Sequence, residues 1–156
     1  VERTLVLVKP DAVARRLVGR ILARFEDRGL ALLGLKLVRL EASEAEALYA
    51  PHRGKPFFEG LVRFATRGPL VAVCLEGKGA IASVRAMLGA TNAAEAAPGS
   101  IRGDFGLSHR YNLVHGSDSP ESAAREIALF FDEDDLVRPT DGGLVWLYDF
   151  SEGEAI

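Results

Sequence analysis

The sequence predicts strands and helices layered around one core, either as a split βαβ sheet with helices on one face or as a small doubly wound sheet. Three observations lead there. Short, unbroken apolar runs alternate with stretches whose apolar residues recur at helical spacing. The chain's 156 residues suit a single domain. No internal repeat, low-complexity segment or linker divides them.

Thr4 to Val8, TLVLV, predicts a buried strand, which Lys9-Pro10 ends because proline cannot continue the ladder. Val18, Ile21, Leu22 and Phe25 then mark one face of a helix that Gly29 closes. Leu32 to Leu40 predicts a second strand. Residues 43–48 open a helix with Ser43 as cap and Glu46 three residues on, a capping-box spacing that Pro51 cuts short. Phe57 to Phe64 predicts a further short helix. The Gly68-Pro69 turn precedes a third strand, Leu70 to Leu75, and a helix follows over Ala80 to Leu88.

Thr91 to Asn112 keeps neither period. A loop of that length inside a compact domain is usually functional, and Ile101, Phe105 and Leu107 offer it anchors. Leu113-Val114 predicts a short strand. Ala124, Ile127, Ala128 and Phe131 mark a helix face, with Ser119 as cap and Pro120 at the first helical position. VWLY (145–148) reads as a final strand segment, and 149–156 as an acidic, loose tail.

Composition narrows the function. Net charge is −3 and pI about 5.7, which argues against broad binding to nucleic acid or membrane surfaces. No apolar run spans a bilayer, and the start, VERTLVLVKPD, lacks a signal-peptide layout, so a cytoplasmic location is expected. Cys74 is the only cysteine, so no internal disulfide forms, which fits a reducing compartment.

Candidate chemistry rests on a few residues. Arg85 falls on the stripe of Ile81, Val84 and Leu88, where an arginine either binds a ligand or counter-charge or snorkels to water; spacing alone does not choose. Arg102, taken singly, reads as a surface arginine paired to Asp104. Lys9 ends a strand. Two arginines and a lysine on separate elements would together suit phosphate oxygens, with Thr91 and Asn112 adding neutral hydrogen bonds and Phe57 a flat face for a base. His115 lies in NLVHGSDS. A lone histidine is more often structural than catalytic. Its spacing from His52 and His109 does not suggest a metal. Ser117, Asp118 and Glu126 are near in sequence, but the helical period turns Glu126 towards solvent. Beside arginine and lysine, an imidazole is suited to attack on phosphorus.

With Lys9, Arg85, Arg102, Asn112 and His115 in view, the sequence resembles the nucleoside diphosphate kinase family. The likeness runs from ERTLVLVKPD through LVGRILARFEDRGL, HRGKPFFEGLV, GPLVAV, SVRAMLGATN and PGSIRGDF to NLVHGSDSPESAAREIALFF. It implies a ferredoxin-like α+β fold, βαββαβ, with an added helical pair between the second and third strands. It also implies ping-pong transfer of a γ-phosphoryl group between nucleotides such as ATP and GDP, with Mg2+ carried on the nucleotide phosphates and no protein metal site. The position matching His115 is phosphorylated; Tyr49, Ser117 and Glu126 support it. Those matching Lys9, Arg85, Thr91 and Arg102 hold phosphates, Asn112 and Lys9 meet the sugar, and Phe57 stacks on the base. Family members are hexamers or tetramers. The chain departs from the pattern with His109 near the base and Ala93 for a proline common in the loop. A regulatory module on the same fold would explain an anion pocket but not the histidine. Neither a P-loop nor a basic recognition helix is present.

Overall fold

The computed structural model describes residues 1–140, 143 and 146–153. A four-stranded antiparallel sheet is built from β1 (Glu2–Val8), β2 (Ala31–Val38), β3 (Leu70–Gly77) and β4 (Val114–Gly116), in the order β2-β3-β1-β4. β3 separates β1 from β2, and β1 separates β3 from β4. This is the split βαβ arrangement, and the doubly wound alternative is excluded because every pairing is antiparallel.

Helices cover both faces, not one. Behind the sheet, α2 (Val18–Asp27) and α5 (Ala80–Leu88) bury Ile21, Phe25, Val84 and Leu88 against Val6, Val8, Val71, Val73 and Leu75. In front, α3 (Ala42–Leu48), α4 (Phe58–Ala65) and α7 (Pro120–Phe130) pack Leu48, Tyr49, Ala65 and Ile127 on Leu5, Leu7, Ala72 and Cys74. A strand buried on both faces needs apolar residues at consecutive positions, which is why TLVLV and LVAVCL read as unbroken runs. The packing is close: Phe25 is 1% exposed, and truncating such an aromatic costs about 3–5 kcal/mol.

Several local readings are corrected. The capping box of α3 belongs to Glu41 and Glu44, two residues before the Ser43/Glu46 pair, because the chain turns into the helix directly after Leu40. A five-residue helix, α1 (Pro10–Ala14), follows β1 and was not expected; Pro10 starts it where it stops the ladder. The segment from Thr91 to Asn112 holds a 3-10 turn at Ala93–Glu95 and a short helix, α6 (Ile101–Phe105), capped by Ser100 Oγ accepting from Gly103 N at 3.0 Å. In α7 the buried residues are Ala123, Glu126 and Ile127, while Ala124 and Ala128 face out. Alanines carry too little apolar area to fix a helix face. Leu113 precedes β4 without joining it. Val145 of the expected last strand lies outside the described residues, as do 154–156 of the tail, and Trp146–Tyr148 form no strand.

Candidate active site

β4 is three residues long and pairs only with β1, so His115 sits on an edge strand opposite Leu7. Facing residues of an antiparallel pair point to the same side. His115 therefore projects to the front, towards α3 and α7. The neighbouring Gly116 faces α5, where a Cβ would lie 2.8 Å from Leu88 Cδ1. Only glycine lets the strand approach the helix that closely.

The imidazole meets α7. His115 Nε2 is hydrogen-bonded to Glu126 Oε1, and Glu126 Oε2 accepts from Ser117 Oγ at 3.1 Å. Ser117 is itself fixed to the sheet: its Oγ accepts from Leu5 N at 3.3 Å, and its N–H donates to Leu5 O at 3.1 Å. Glu126 is only 3% exposed, whereas the His115 side chain is 29% exposed. A carboxylate that accepts from Nε2 assigns the proton to that nitrogen and leaves the lone pair on Nδ1. Tyr49, at the end of α3, completes this side. Burial, helped by the nearby carboxyls of Glu126 and Asp11, pushes its phenol up to about 12, so it stays a protonated donor.

Cations gather around the same edge. Lys9 continues the front-facing alternation of Leu5 and Leu7, and its Nζ lies 5.7 Å from the centroid of the Phe64 ring. Burial lowers its pKa to about 8; Asp11 opposes the fall and Arg102 adds to it. Arg102 is 8% exposed, and burial, then Arg85, bring it down to about 10. Its guanidinium donates to three backbone carbonyls, Gly89 O (2.9 Å), Asn112 O (3.1 Å) and Val114 O (2.7 Å). It thus ties the end of α5 to the approach of the histidine strand. Asp104, the expected partner of Arg102, pairs instead with Arg24 at 2.5 Å. Arg85 is exposed rather than inward. The Cα spacing put it on the stripe, but its long side chain leaves the core. Its charge reaches both Arg102 and Asp118.

The remaining candidates form the rim. Asn112 is buried; its Nδ2 donates to Thr91 O at 2.8 Å, while its Oδ1 has no partner. Thr91 leaves its side chain exposed. Phe57 is 51% exposed, with the His52 ring 5.4 Å away and Lys55 Nζ 5.7 Å from its centroid. His109 is exposed in the loop before Asn112.

Mutual electrostatic influence links these groups. Lys9 feels Arg102, Arg102 feels Arg85, Arg85 acts on Asp118, and His52 responds to Asp118 and His115. From sequence, His52 enters only as a histidine whose spacing from His115 does not suggest a metal site. Its pKa is lowered by burial, then by Lys55 and His115, and its ring lies against Phe57. The reading of Glu126 as solvent-facing is overturned by its burial, because α7 packs on a face centred one position away from the expected stripe. Chemically, the site offers an imidazole with a buried carboxylate bonded to its Nε2, on an edge where Lys9, Arg85 and Arg102 influence one another.

A family model described as nucleoside diphosphate kinase matches residues 2–136. A curated relative of that name from Carboxydothermus hydrogenoformans is 55% identical over 148 residues, covering 95% of this chain and 99% of its own. One from Archaeoglobus fulgidus is 53% identical, covering 95% and 98%. Among solved structures, a halophilic nucleoside diphosphate kinase from Halobacterium salinarum in complex with CDP superposes with a TM-score of 0.92, at 49% identity, covering 95% of this chain and 99% of that one. A nucleoside diphosphate kinase family protein from Babesia bovis gives 0.91 at 42% identity, covering 95% and 100%.

Proposed function

The chain belongs to the nucleoside diphosphate kinase family, and from that premise we propose that it moves the γ-phosphoryl group of a nucleoside triphosphate to a nucleoside diphosphate in two half-reactions through a phosphohistidine on His115. In the first, the Nδ1 lone pair attacks the γ-phosphorus. The bond to the β,γ-bridging oxygen breaks, its electrons stay on that oxygen, and a nucleoside diphosphate leaves. In the second, a terminal phosphate oxygen of another diphosphate attacks the phosphohistidine and Nδ1 departs. The positive charge on the ring is held through Nε2–H by Glu126, which Ser117 orients.

Lys9, Arg85 and Arg102 hold the phosphates and stabilise charge on the transferring group. Arg102 also has N–H groups beyond the three bonded to carbonyls. Tyr49 supports the histidine, Thr91 and Asn112 bind phosphate and sugar hydroxyls, and Phe57 stacks on the base. Base preference is broad, because every base has a π-face.

The nucleotide enters with magnesium on its phosphates, since Mg2+ prefers phosphate oxygens and keeps its waters. The groups gathered on this edge suit phosphate rather than a bare metal: they are cations and neutral hydrogen-bond donors, with Asp118 an exposed carboxylate near Arg85. We further propose a cytoplasmic homo-oligomer, a hexamer or a tetramer. Edge strand β2 exposes Leu35 and Leu37 at 49% and 68%, apolar surface that suits a subunit contact. Among the described residues no helix is long and apolar enough to cross a membrane.

The observation that carries the assignment is the buried Glu126 carboxylate bound to His115 Nε2 beside Lys9, Arg85 and Arg102. The test is the intact mass of the protein after brief exposure to ATP and magnesium, then after GDP. One phosphoryl group should be gained on His115, be labile to acid and be discharged by GDP. His115→Ala should gain none while still binding ADP. ATP bound without phosphoenzyme would assign a regulatory module instead.

A further inference from the structure

We propose that Asp11 is a positioning residue for phosphoryl transfer: its carboxylate locks Leu113 in a reversed backbone conformation that sets the register of the histidine strand. The proposal rests on His115 being the phosphoryl acceptor.

Leu113 has φ +73°, a region that leucine rarely occupies. Val114 N donates to Asn112 O at 2.8 Å across it. A bond from residue i+2 back to i, with positive φ between, is the strained form of the γ-turn. Both polar groups of Leu113 are taken by the segment after β1. Its N–H donates to Asp11 Oδ2 at 3.1 Å, and its C=O accepts from Lys9 N at 2.8 Å. Its side chain is fully buried.

The turn separates two functional residues. Asn112 precedes it, and Val114 and His115 follow. A β4 ladder of three residue pairs is a weak determinant of register. A slip by one residue would turn His115 to the back of the sheet, away from Glu126. Were Leu113 to relax to negative φ, the chain would run on as strand and the bend behind Asn112 would open. Arg102 holds the flanking carbonyls of Asn112 and Val114, but nothing in Arg102 reaches the Leu113 amide. Asp11 supplies that constraint. Its Oδ1 is buried without a partner. An arrangement that leaves one carboxylate oxygen unpaired to place the other on a single amide is costly unless that amide must be held.

The test compares Asp11→Ala, which removes the acceptor, with Asp11→Asn, which keeps an oxygen for the Leu113 amide and removes the charge. Phosphoenzyme formation at saturating ATP and magnesium is followed by rapid quench, nucleotide affinity by titration, and exchange of the Leu113 amide by NMR. Asp11→Ala should slow the step by about 10- to 100-fold, with affinity within about threefold of wild type, as expected for a misplaced reacting group. Its Leu113 amide should exchange fast. Asp11→Asn should keep a slow amide and a rate within about threefold of wild type. A folded Asp11→Ala protein phosphorylated at the normal rate overturns the proposal. So does Asp11→Asn as slow as Asp11→Ala, because the charge beside Lys9 would then be what matters. If Asp11→Ala does not fold, the rate of Asp11→Asn decides alone. Failure of the functional reading itself would show differently, as absence of phosphoenzyme in the wild type.

Discussion

Replacing Glu126 separates two things it does for His115: it fixes the proton on Nε2 and it offsets the charge that the ring gains. Glutamine can keep the first. With its amide oxygen towards His115 Nε2, its NH2 faces Ser117 Oγ, and the serine hydroxyl still has Leu5 O as acceptor, at 3.4 Å. Alanine keeps neither. A hydrogen bond to a charged group contributes about 1.5–3 kcal/mol and a neutral one about 0.5–1.5 kcal/mol. Glu126→Gln should therefore slow phosphoenzyme formation by about 5- to 15-fold, and Glu126→Ala by about 10- to 150-fold. The assay is rapid-quench formation of phosphohistidine at saturating ATP and magnesium, with nucleotide affinity measured alongside. Alanine as fast as wild type, or glutamine slower than alanine, would refute the reasoning. The first would mean the carboxylate is not used in the step. The second would mean the amide turns its NH2 to the ring and moves the proton to Nδ1.

Three further outcomes are expected. Lys9 is charged below about pH 8 and neutral above it, so kcat/KM for nucleotide should fall as pH rises through that value, and Lys9→Arg should carry the plateau higher. The sign for stability is opposite: between about 8 and the ordinary 10.5 the unfolded chain binds more protons than the folded one, so Lys9 lets stability rise with pH across that window, measurable as Tm against the Lys9→Met variant. Arg102→Met removes donors from three carbonyls and should cost at least about 3 kcal/mol at roughly 1 kcal/mol each in urea unfolding, with little recovery in Arg102→Lys, whose ammonium cannot reproduce the fork. Phe57→Ala should leave Tm nearly unchanged, since the ring is half exposed, while KM for nucleotides rises about 5- to 150-fold through loss of the stack.

How much was legible differs from element to element. TLVLV and LVAVCL announced themselves because a strand buried on both faces carries no polar interruption. The Ser119-Pro120 start of α7 was legible for an equally local reason, a side-chain acceptor followed by a residue with fixed φ. Helices with large apolar residues declared their faces, as α2 did with Ile21 and Phe25. The alanine-rich α7 did not, so its period turned Glu126 towards solvent and only the family resemblance pointed to it. Arg102 was misread for another reason. Its partners are backbone carbonyls on three separate segments, and a carbonyl has no signature in sequence.

The residue kinds and their order along the chain were thus the sequence's own contribution: a histidine between valine and glycine, a lysine at a strand end, one arginine on a helix and another in a long loop, and a pattern extensive enough to resemble one family. Side-chain chemistry and periodicity are local, so a reader of the chain can reach them. Only the tertiary structure decided which nitrogen of His115 is free, that Glu126 lies behind it, that Arg85 faces water while Arg102 is locked to backbone, and that Asp11 reaches the amide of Leu113. Each of these depends on the distance between atoms far apart in the chain, set by sheet register and helix packing. A one-residue change in either would leave the sequence pattern intact and point the histidine at the wrong face.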